Sequence, residues 1–409
     1  MNMKRWTSLF LAVLMLLSFS ACSEKETVTT EDGFFENEEL SPTEQAQADE
    51  AALKKFVKDY RAGKFNDNLL YQFEDPSQYY TLGEYKGITY PDDELLDETV
   101  TDEMVNDYIT GIQVVGIFKE EDLEEVTQGE VQKFDMVTMD YKGLVDGEAM
   151  DSTTATDAEL LIGSNQFIPG FESGLVGKKI GEEVVLDLKF SPYYDAMEVA
   201  GKNVQFYVTV KKVQRPKSLV PVTVEEINTL YGSDFKDMEE VKADIRNFLE
   251  NERSANAYTA KANYVQRALY DSSSVISYPD AEVDFFRRQF VETYTRDMEE
   301  GQTVEEFCEE QYGVTYEEFD ADALSYGKEM VAATLMLNSV AQKEGITCSD
   351  EQLEAMIAGL YSSQGTYYGN LESFITDYID LYGADYFEQS VISAAAIEFL
   401  VENAVKAAQ

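Results

Sequence analysis

The chain reads as an α+β protein: a twisted antiparallel sheet folded over one short helix, followed by an all-α domain. Three observations carry that reading. Between Asp135 and Val213 apolar residues recur at every second position, as Val184, Leu186, Leu188 and Phe190 and again as Val204, Phe206, Val208 and Val210. Within that stretch residues 168–176 read as one short helix, with Pro169 near its start and Gly177 after its end. Beyond Pro216 the apolar spacing changes to three and four residues, the period of a helix. A length of 409 residues allows two or three domains with their own cores.

Taken in order, residues 1–21 read as a leader. Lys4-Arg5 is a basic n-region, and residues 9–19 form an apolar core too short to span a bilayer. Ser20-Ala21-Cys22 then has the form of a lipobox, with Phe19 where Leu is usual. Cleavage before Cys22 predicts a lipid anchor on that cysteine, working through buried methylenes. Residues 22–49 are polar and acidic and read as a solvated tether. The next stretch, 50–130, reads as a helical and linking segment. Within it 50–62 is a short helix with Ala51, Leu53, Phe56, Val57 and Tyr60 on one side. Residues 101–117 are an amphipathic helix that Thr101 caps, with Met104, Val105, Tyr108 and Ile109 apolar.

The sheet domain is expected over 131–214. Its first long strand is M-V-T-M-D-Y-K-G-L-V at 136–145, and Asp146-Gly147 turns it into residues 148–151. After a short variable segment comes E-L-L-I-G-S-N-Q-F-I-P-G-F-E-S-G-L-V at 159–176, and strands at 184–190 and 204–213 close the sheet. The apolar notch between the sheet and its helix is where function is expected.

Residues 215–409 read as helical almost throughout. A short helix at 223–231 precedes a long one at 237–271, where Met238, Val241, Ile245 and Phe248, then Ala255, Tyr258, Ala262, Val265 and Leu269, form the apolar stripe. Tyr278-Pro279 ends that unit and 280–300 opens another helix. Thr303 with Glu306, Thr315 with Glu318 and Ser349 with Gln352 each predict a capping box, and Gly313, Gly345 and Gly383 predict helix ends. Phe285, Phe286, Phe290, Tyr294, Tyr361, Tyr367, Tyr368, Tyr378 and Tyr386 are the candidates for an exposed aromatic surface.

Composition excludes several functions. Lys and Arg number 32 against 79 Asp and Glu, and the net charge of −47 repels nucleic acid and anionic lipid. With His 0 there is no Ser-His triad, no Cys-His pair and no zinc site of the usual kind. Cys308 and Cys348 remain once Cys22 is assigned to lipid. Two buried thiols are the favoured reading, and a disulfide is the alternative that an oxidising compartment would permit. No CxxC motif suggests redox chemistry. The acidic runs at 120–125 and 305–310 lack the ligand spacing of a calcium loop, so no metal or other cofactor is expected.

D-Y-K-G-L-V-D-G at 140–147, L-I-G-S-N-Q-F-I-P-G-F-E at 161–172, G-E-E-V at 181–184 and A-G-K at 200–202 together resemble the FKBP-type prolyl isomerase domain, in the version carried by the trigger factor family. Residues 80–90 resemble the segment leading into that domain. The helical half, with Y-P-D-A-E-V at 278–283, is similar to the family's C-terminal domain, whose paired arms hold unfolded polypeptide clients. The family's ribosome-docking domain with its basic loop is not found, and ribosome binding is not expected.

The resemblance assigns roles residue by residue. Tyr141 becomes one wall of a cup, Met150 a second wall where Phe is usual, and Asp151 a carboxylate near the prolyl carbonyl. Phe167 and Ile168 line the entrance, and the Ile168 N–H donates to substrate. Phe171 is the floor and Phe206 closes the far side. Two family aromatics are replaced, by Ala158 and Ala196, implying weak discrimination of the residue before proline. Rotation about an X-Pro bond needs no nucleophile, only an apolar cup that favours the twisted amide. Ordinary sheet packing would also bury Tyr141, Phe171 and Phe206, and a turn would also explain Asp151. The expected function is a lipid-anchored, extracytoplasmic isomerase with chaperone activity for secreted or surface proteins. The alternatives are a non-catalytic holdase on the same fold and a structural lipoprotein with neither activity.

Overall fold

Among the described residues the first helix is capped by Ser41. In the computed structural model, which describes residues 41–65, 71, 73, 75–194, 199–299, 301–364, 368 and 370–407, helix α1 runs Pro42–Arg61. The Ser41 hydroxyl accepts from the Glu44 N–H, and the Glu44 carboxylate accepts from the Ser41 N–H at 2.9 Å. Proline supplies the first helical turn, so Ser-Pro-Thr-Glu is a complete helix start. The tether expected over 22–49 therefore becomes helix from its final residues, well before the start expected at 50. The leader and Cys22 lie outside the described residues. After α1 comes a two-residue strand, β1 (Tyr80–Thr81).

Contacts divide the chain into two units, neither contiguous in sequence: Tyr90–Tyr264 with Lys406–Gln409, and Met1–Thr89 with Val265–Val405. The first unit contains α2 (Asp102–Ile112), then β2 (Leu123–Val126), β3 (Met136–Val145), β4 (Glu148–Leu161), α3 (Phe171–Leu175), β5 (Glu183–Lys189) and β6 (Asn203–Pro216). It ends with α4 (Val224–Tyr231) and the part of α5 (Met238–Ser272) before Val265. Strand β6 is the spine of a five-stranded antiparallel sheet. Along one edge it pairs with β3, and β5 and β2 share its other edge. Val204, Phe206, Val208 and Val210 alternate inward as expected. A bulge at Lys211 then resets the register, so Val213 also points in.

The hairpin turn at Asp146-Gly147 has positive φ at both residues, 51° and 89°, matching the twist of its strands. Its second arm differs from the expectation of a short strand and a variable segment. Strand β4 is continuous to Leu161 but carries two register shifts against β3. One loops out residues 150–153, and the Thr153 hydroxyl closes that bulge by donating to the Gly143 and Met150 carbonyls at 3.0 and 2.9 Å. The other centres on Asp157, with φ 55°. Bulges break the two-residue period, which is why alternation alone did not reveal this strand.

A second cluster in this unit joins Val105 and Ile109 of α2 to Val222, Ile227 of α4, and Val241, Ile245 and Leu249 of α5. The stripe along α5 holds at Val241, Ile245, Ala262, Val265 and Leu269 and departs from the expected one in its middle. Leu249 is buried where Phe248 was expected, and Ala257 is buried while Ala255 and Tyr258 are exposed. Strict four-residue steps from Val241 reach Ile245 and then Leu249.

In the other unit β7 (Ser274–Val275) pairs antiparallel with β1. Helices α6 (Asp280–Tyr294), α7 (Val304–Phe307), α8 (Tyr316–Glu344), α9 (Asp350–Gln364), α10 (Leu371–Tyr382) and α11 (Tyr386–Glu402) follow. The three expected capping boxes form, and Gly313, Gly345 and Gly383 stand at helix ends. Helix α1 belongs to this unit: Phe56 meets Phe387 edge-on at 5.5 Å, and Tyr60 donates to Glu388 at 2.7 Å. Arg61 bonds Glu388 and Asp350. The aromatic candidates turn inward. Phe286, Phe290, Tyr378 and Tyr386 are buried, and Phe285, Tyr294, Tyr361 and Tyr368 are half-buried. Tyr367 lies outside the described residues. Rings that the sequence marks as amphipathic bury their area against one another. Both remaining thiols are free, with Cys308 buried and Cys348 half-buried; burial raises both above the ordinary thiol range.

Helices α6 and α8 approach closely at Gly327, where an added Cβ would lie 2.6 Å from the Val283 carbonyl oxygen. Gly327→Ala must push the helix backbones apart, and we expect it to destabilise this unit by about 1–3 kcal/mol. Urea unfolding followed by helical circular dichroism measures that loss.

Candidate functional site

The site grows from the inward face of the sheet. Phe206 of β6 pairs across the strands with Gly143 of β3, and its ring also meets that of Tyr141. Gly143 is required there, because a Cβ would meet Thr153 at 2.6 Å and the Phe206 ring at 2.9 Å. Phe171, the first residue of α3, has no accessible surface and receives rings from three directions. Phe167 stacks on it with centroids 4.1 Å apart, and Phe206 and Tyr141 meet it edge-on at 5.1 and 6.0 Å. Tyr141 also meets Phe167 and Phe206, at 5.3 and 6.1 Å.

Phe206 is buried, whereas Tyr141, Met150, Phe167 and Ile168 are half-buried against the same core. Six of the seven residues singled out from sequence are thus brought together. Met150 arrives by way of the bulge in β4. Asp151 lies on β4, but its side chain is outside what the structure describes. Ala158 packs on the sheet core, and Ala196 is outside the described residues.

The entrance loop is built on Glu172, a residue to which sequence reading gave no role. Its carboxylate is buried at 8 % exposure. One oxygen accepts from the Gly163 and Asn165 N–H groups at 2.7 and 3.1 Å. The other accepts from Gln166 at 2.9 Å and Phe167 at 3.4 Å. Convergence of successive N–H groups requires left-handed backbone, and Gly163 and Asn165 have φ 101° and 56°. The available signal was a carboxylate set in an apolar segment just after Gly-Ser-Asn. The next N–H, that of Ile168, has no acceptor among the described residues, and its carbonyl accepts from Phe171 at 3.1 Å.

A second loop follows β5. Tyr193 is buried, its hydroxyl donates to the Pro91 carbonyl, and its ring lies 5.0 Å from Tyr264. The Ser191 hydroxyl donates to Asp93 at 2.9 Å. The segment entering this unit thereby holds the loop next to the sheet's far edge, an attachment no local pattern announces. Desolvation of the Tyr193 phenol pushes its pKa up, so it stays a donor across the physiological range.

Because Phe171 is floor and core at once, Phe171→Ala leaves a cavity among three rings. We expect a loss of about 3–5 kcal/mol in stability, read by urea unfolding. Turnover of that variant alone would therefore confound folding with chemistry, and the volume-conserving Phe171→Leu separates the two.

Comparison with known proteins agrees with this layout. Residues 127–211 match the FKBP-type peptidyl-prolyl cis-trans isomerase family, and residues 237–402 match the bacterial trigger factor C-terminus. The chain is 30% identical over 325 residues to the trigger factor of Caldicellulosiruptor saccharolyticus, covering 79% of this chain and 70% of that one. It is 31% identical over 324 residues to trigger factor 1 of Desulfitobacterium hafniense, covering 79% and 72%. Against the trigger factor of Halalkalibacterium halodurans it is 28% identical over 324 residues, with the same coverage. These similarities run along most of each relative, and the chain belongs to the trigger factor family of folding chaperones, with an FKBP-type peptidyl-prolyl isomerase as its sheet domain.

Proposed function

We propose that this chain catalyses X-Pro isomerisation in the ring cluster around Phe171 and works on secreted or surface proteins, anchored to the outer face of the membrane through lipid on Cys22. The observation that carries the catalytic part is the juxtaposition of three rings on a buried floor with the Ile168 N–H, which has no acceptor among the described residues. The barrier to amide rotation is about 18–20 kcal/mol because twisting destroys resonance. A proline ring held among Tyr141, Phe171 and Phe206 leaves water, and its preceding carbonyl leaves with it. The twisted amide is less conjugated and suffers less from that transfer, so the cup binds it better than the planar form. The Ile168 N–H orients the substrate backbone, and Met150 and Asp151 border the carbonyl end.

In the structure Phe167 stacks over the floor, so a prolyl ring reaches Phe171 only when Phe167 moves aside. Each 1.36 kcal/mol of differential binding gives tenfold in rate, so a few such contacts suffice.

For holding clients we propose the apolar residues left exposed beside the sheet: Tyr108, Val115, Leu230, Tyr231 and Phe248. Tyr108 and Phe248 touch at 5.6 Å, and the Tyr108 phenol is pushed up by burial and by neighbouring Tyr231 and Glu252. The extracytoplasmic reading is supported by the leader and lipobox pattern and by an acidic surface that disfavours nucleic acid.

Refolding of a proline-limited client tests the catalytic reading. The chain from Ser23 onward should accelerate the slow phase, and Phe167→Ala and Phe171→Leu should each reduce that acceleration about tenfold or more. Suppressed aggregation without acceleration by the wild-type chain would instead leave a holdase on an idle isomerase fold. For the anchor, Cys22→Ala should move the protein from the membrane fraction to the soluble fraction and abolish fatty-acid labelling. Membrane retention of that variant would refute lipidation at Cys22.

A further inference from the structure

We propose that Glu172 is the positioning residue of the isomerase cup, fixing the entrance loop so that the Phe167 ring and the Ile168 N–H stand in register with the floor. This rests on the reading of the cup as the catalytic site. Glu172 follows Phe171 directly on α3, so the helical turn that sets the floor also sets the carboxylate. That carboxylate gathers four backbone N–H groups, from Gly163, Asn165, Gln166 and Phe167. The Ser164 hydroxyl lies at 3.5 Å from the same group. Each oxygen takes two N–H donors, which uses the roughly four lone-pair sites that an ionised carboxylate offers.

Among the described residues the further backbone bonds of 163–168 run from the Ser164 N–H to the Leu161 carbonyl and from the Phe171 N–H to the Ile168 carbonyl. Floor, wall and donor are therefore linked through one side chain. The bonds end at Phe167, and the next N–H along, that of Ile168, has no acceptor among the described residues. A carboxylate is specifically needed, because only a group with acceptors on both ends can serve two pairs of donors. Glutamine has the same volume but turns its NH₂ toward one N–H pair, so donors face donors. Its effect reads on the hydrogen-bond pattern rather than on packing.

The test compares the full wild-type chain with Glu172→Gln, measuring isomerase kcat/KM on a short proline peptide and amide exchange residue by residue. We expect Glu172→Gln to lower kcat/KM by about 10- to 100-fold, the scale of misplacing groups by about an ångström. Exchange at residues 163–168 should accelerate while the ladder between β3 and β6 stays protected. A structural role alone would instead loosen the ladder and the loop together. Gly163→Ala strains the loop from its other end, at φ 101°, and leaves the carboxylate and the core in place. It should reproduce part of the loss with the same local exchange signature. Unchanged kcat/KM in a folded Glu172→Gln chain, or ladder and loop loosening together in both variants, would overturn the proposal. An inactive wild-type chain would instead overturn the underlying catalytic reading, and with it any positioning role.

Discussion

Phe171 has no surface of its own, and much of the sheet domain is arranged around that fact. A ring buried between a helix and a sheet must be met by other rings or by aliphatic groups, since voids forfeit contact energy. Here it is met by Phe206 from the spine strand, Tyr141 from its neighbour and Phe167 from the loop. Only the last of these contacts comes from an element without a strand or helix ladder to hold it. Two of the ring partners thus sit on strands, and the third sits on a loop that the Glu172 carboxylate ties to α3.

The same economy appears where the sheet is joined at its ends. Arg215 near the end of β6 forms two bonds of 2.7 Å to the buried carboxylate of Asp135, next to the start of β3, and reaches the Glu130 carbonyl at 2.8 Å. A buried pair contributes little net stability, because desolvating both charges offsets their attraction. Its value is register: only one pairing of β3 with β6 brings that carboxylate to that guanidinium. Lys211 acts similarly at the bulge, bridging Asp140 and Asp157. In a chain so rich in carboxylates, these cations are placed where strand geometry is least regular.

The helical unit uses tyrosine as its packing material. Tyr71 is buried against Phe285, Phe286 and Tyr386, and its N–H donates to the buried Asp385 carboxylate at 2.5 Å. Burial pushes the Tyr326 phenol up to about 12, so such groups remain neutral donors at any physiological pH. Aromatic residues in a chaperone sequence invite assignment to client contact, yet here most of them hold helices together. The exposed apolar residues of α2, α4 and α5 are fewer and lie elsewhere in sequence. Among the described residues no helix is long and apolar enough to cross a membrane.

Much of this was legible in one dimension. Alternation identified β5 and β6, capping boxes and glycines bounded the helices, and Q-F-I-P-G-F-E marked the rings that pack against the sheet. These are local rules, in which a residue's neighbours in sequence decide its conformation. Other features required distant partners. The bulges of β4 depend on the strand opposite, so its continuity to Leu161 was hidden. Which face of α5 is buried depends on α2 and α4, so Phe248 and Leu249 exchanged places. Glu172 was visible as a letter in a motif, but its role appears only when the loop folds back and delivers its N–H groups. A side chain's partners across space follow from backbone closure, which periodicity does not encode; the sequence by itself determined the elements and the ring set, and tertiary structure alone decided what each carboxylate and each aromatic face would meet.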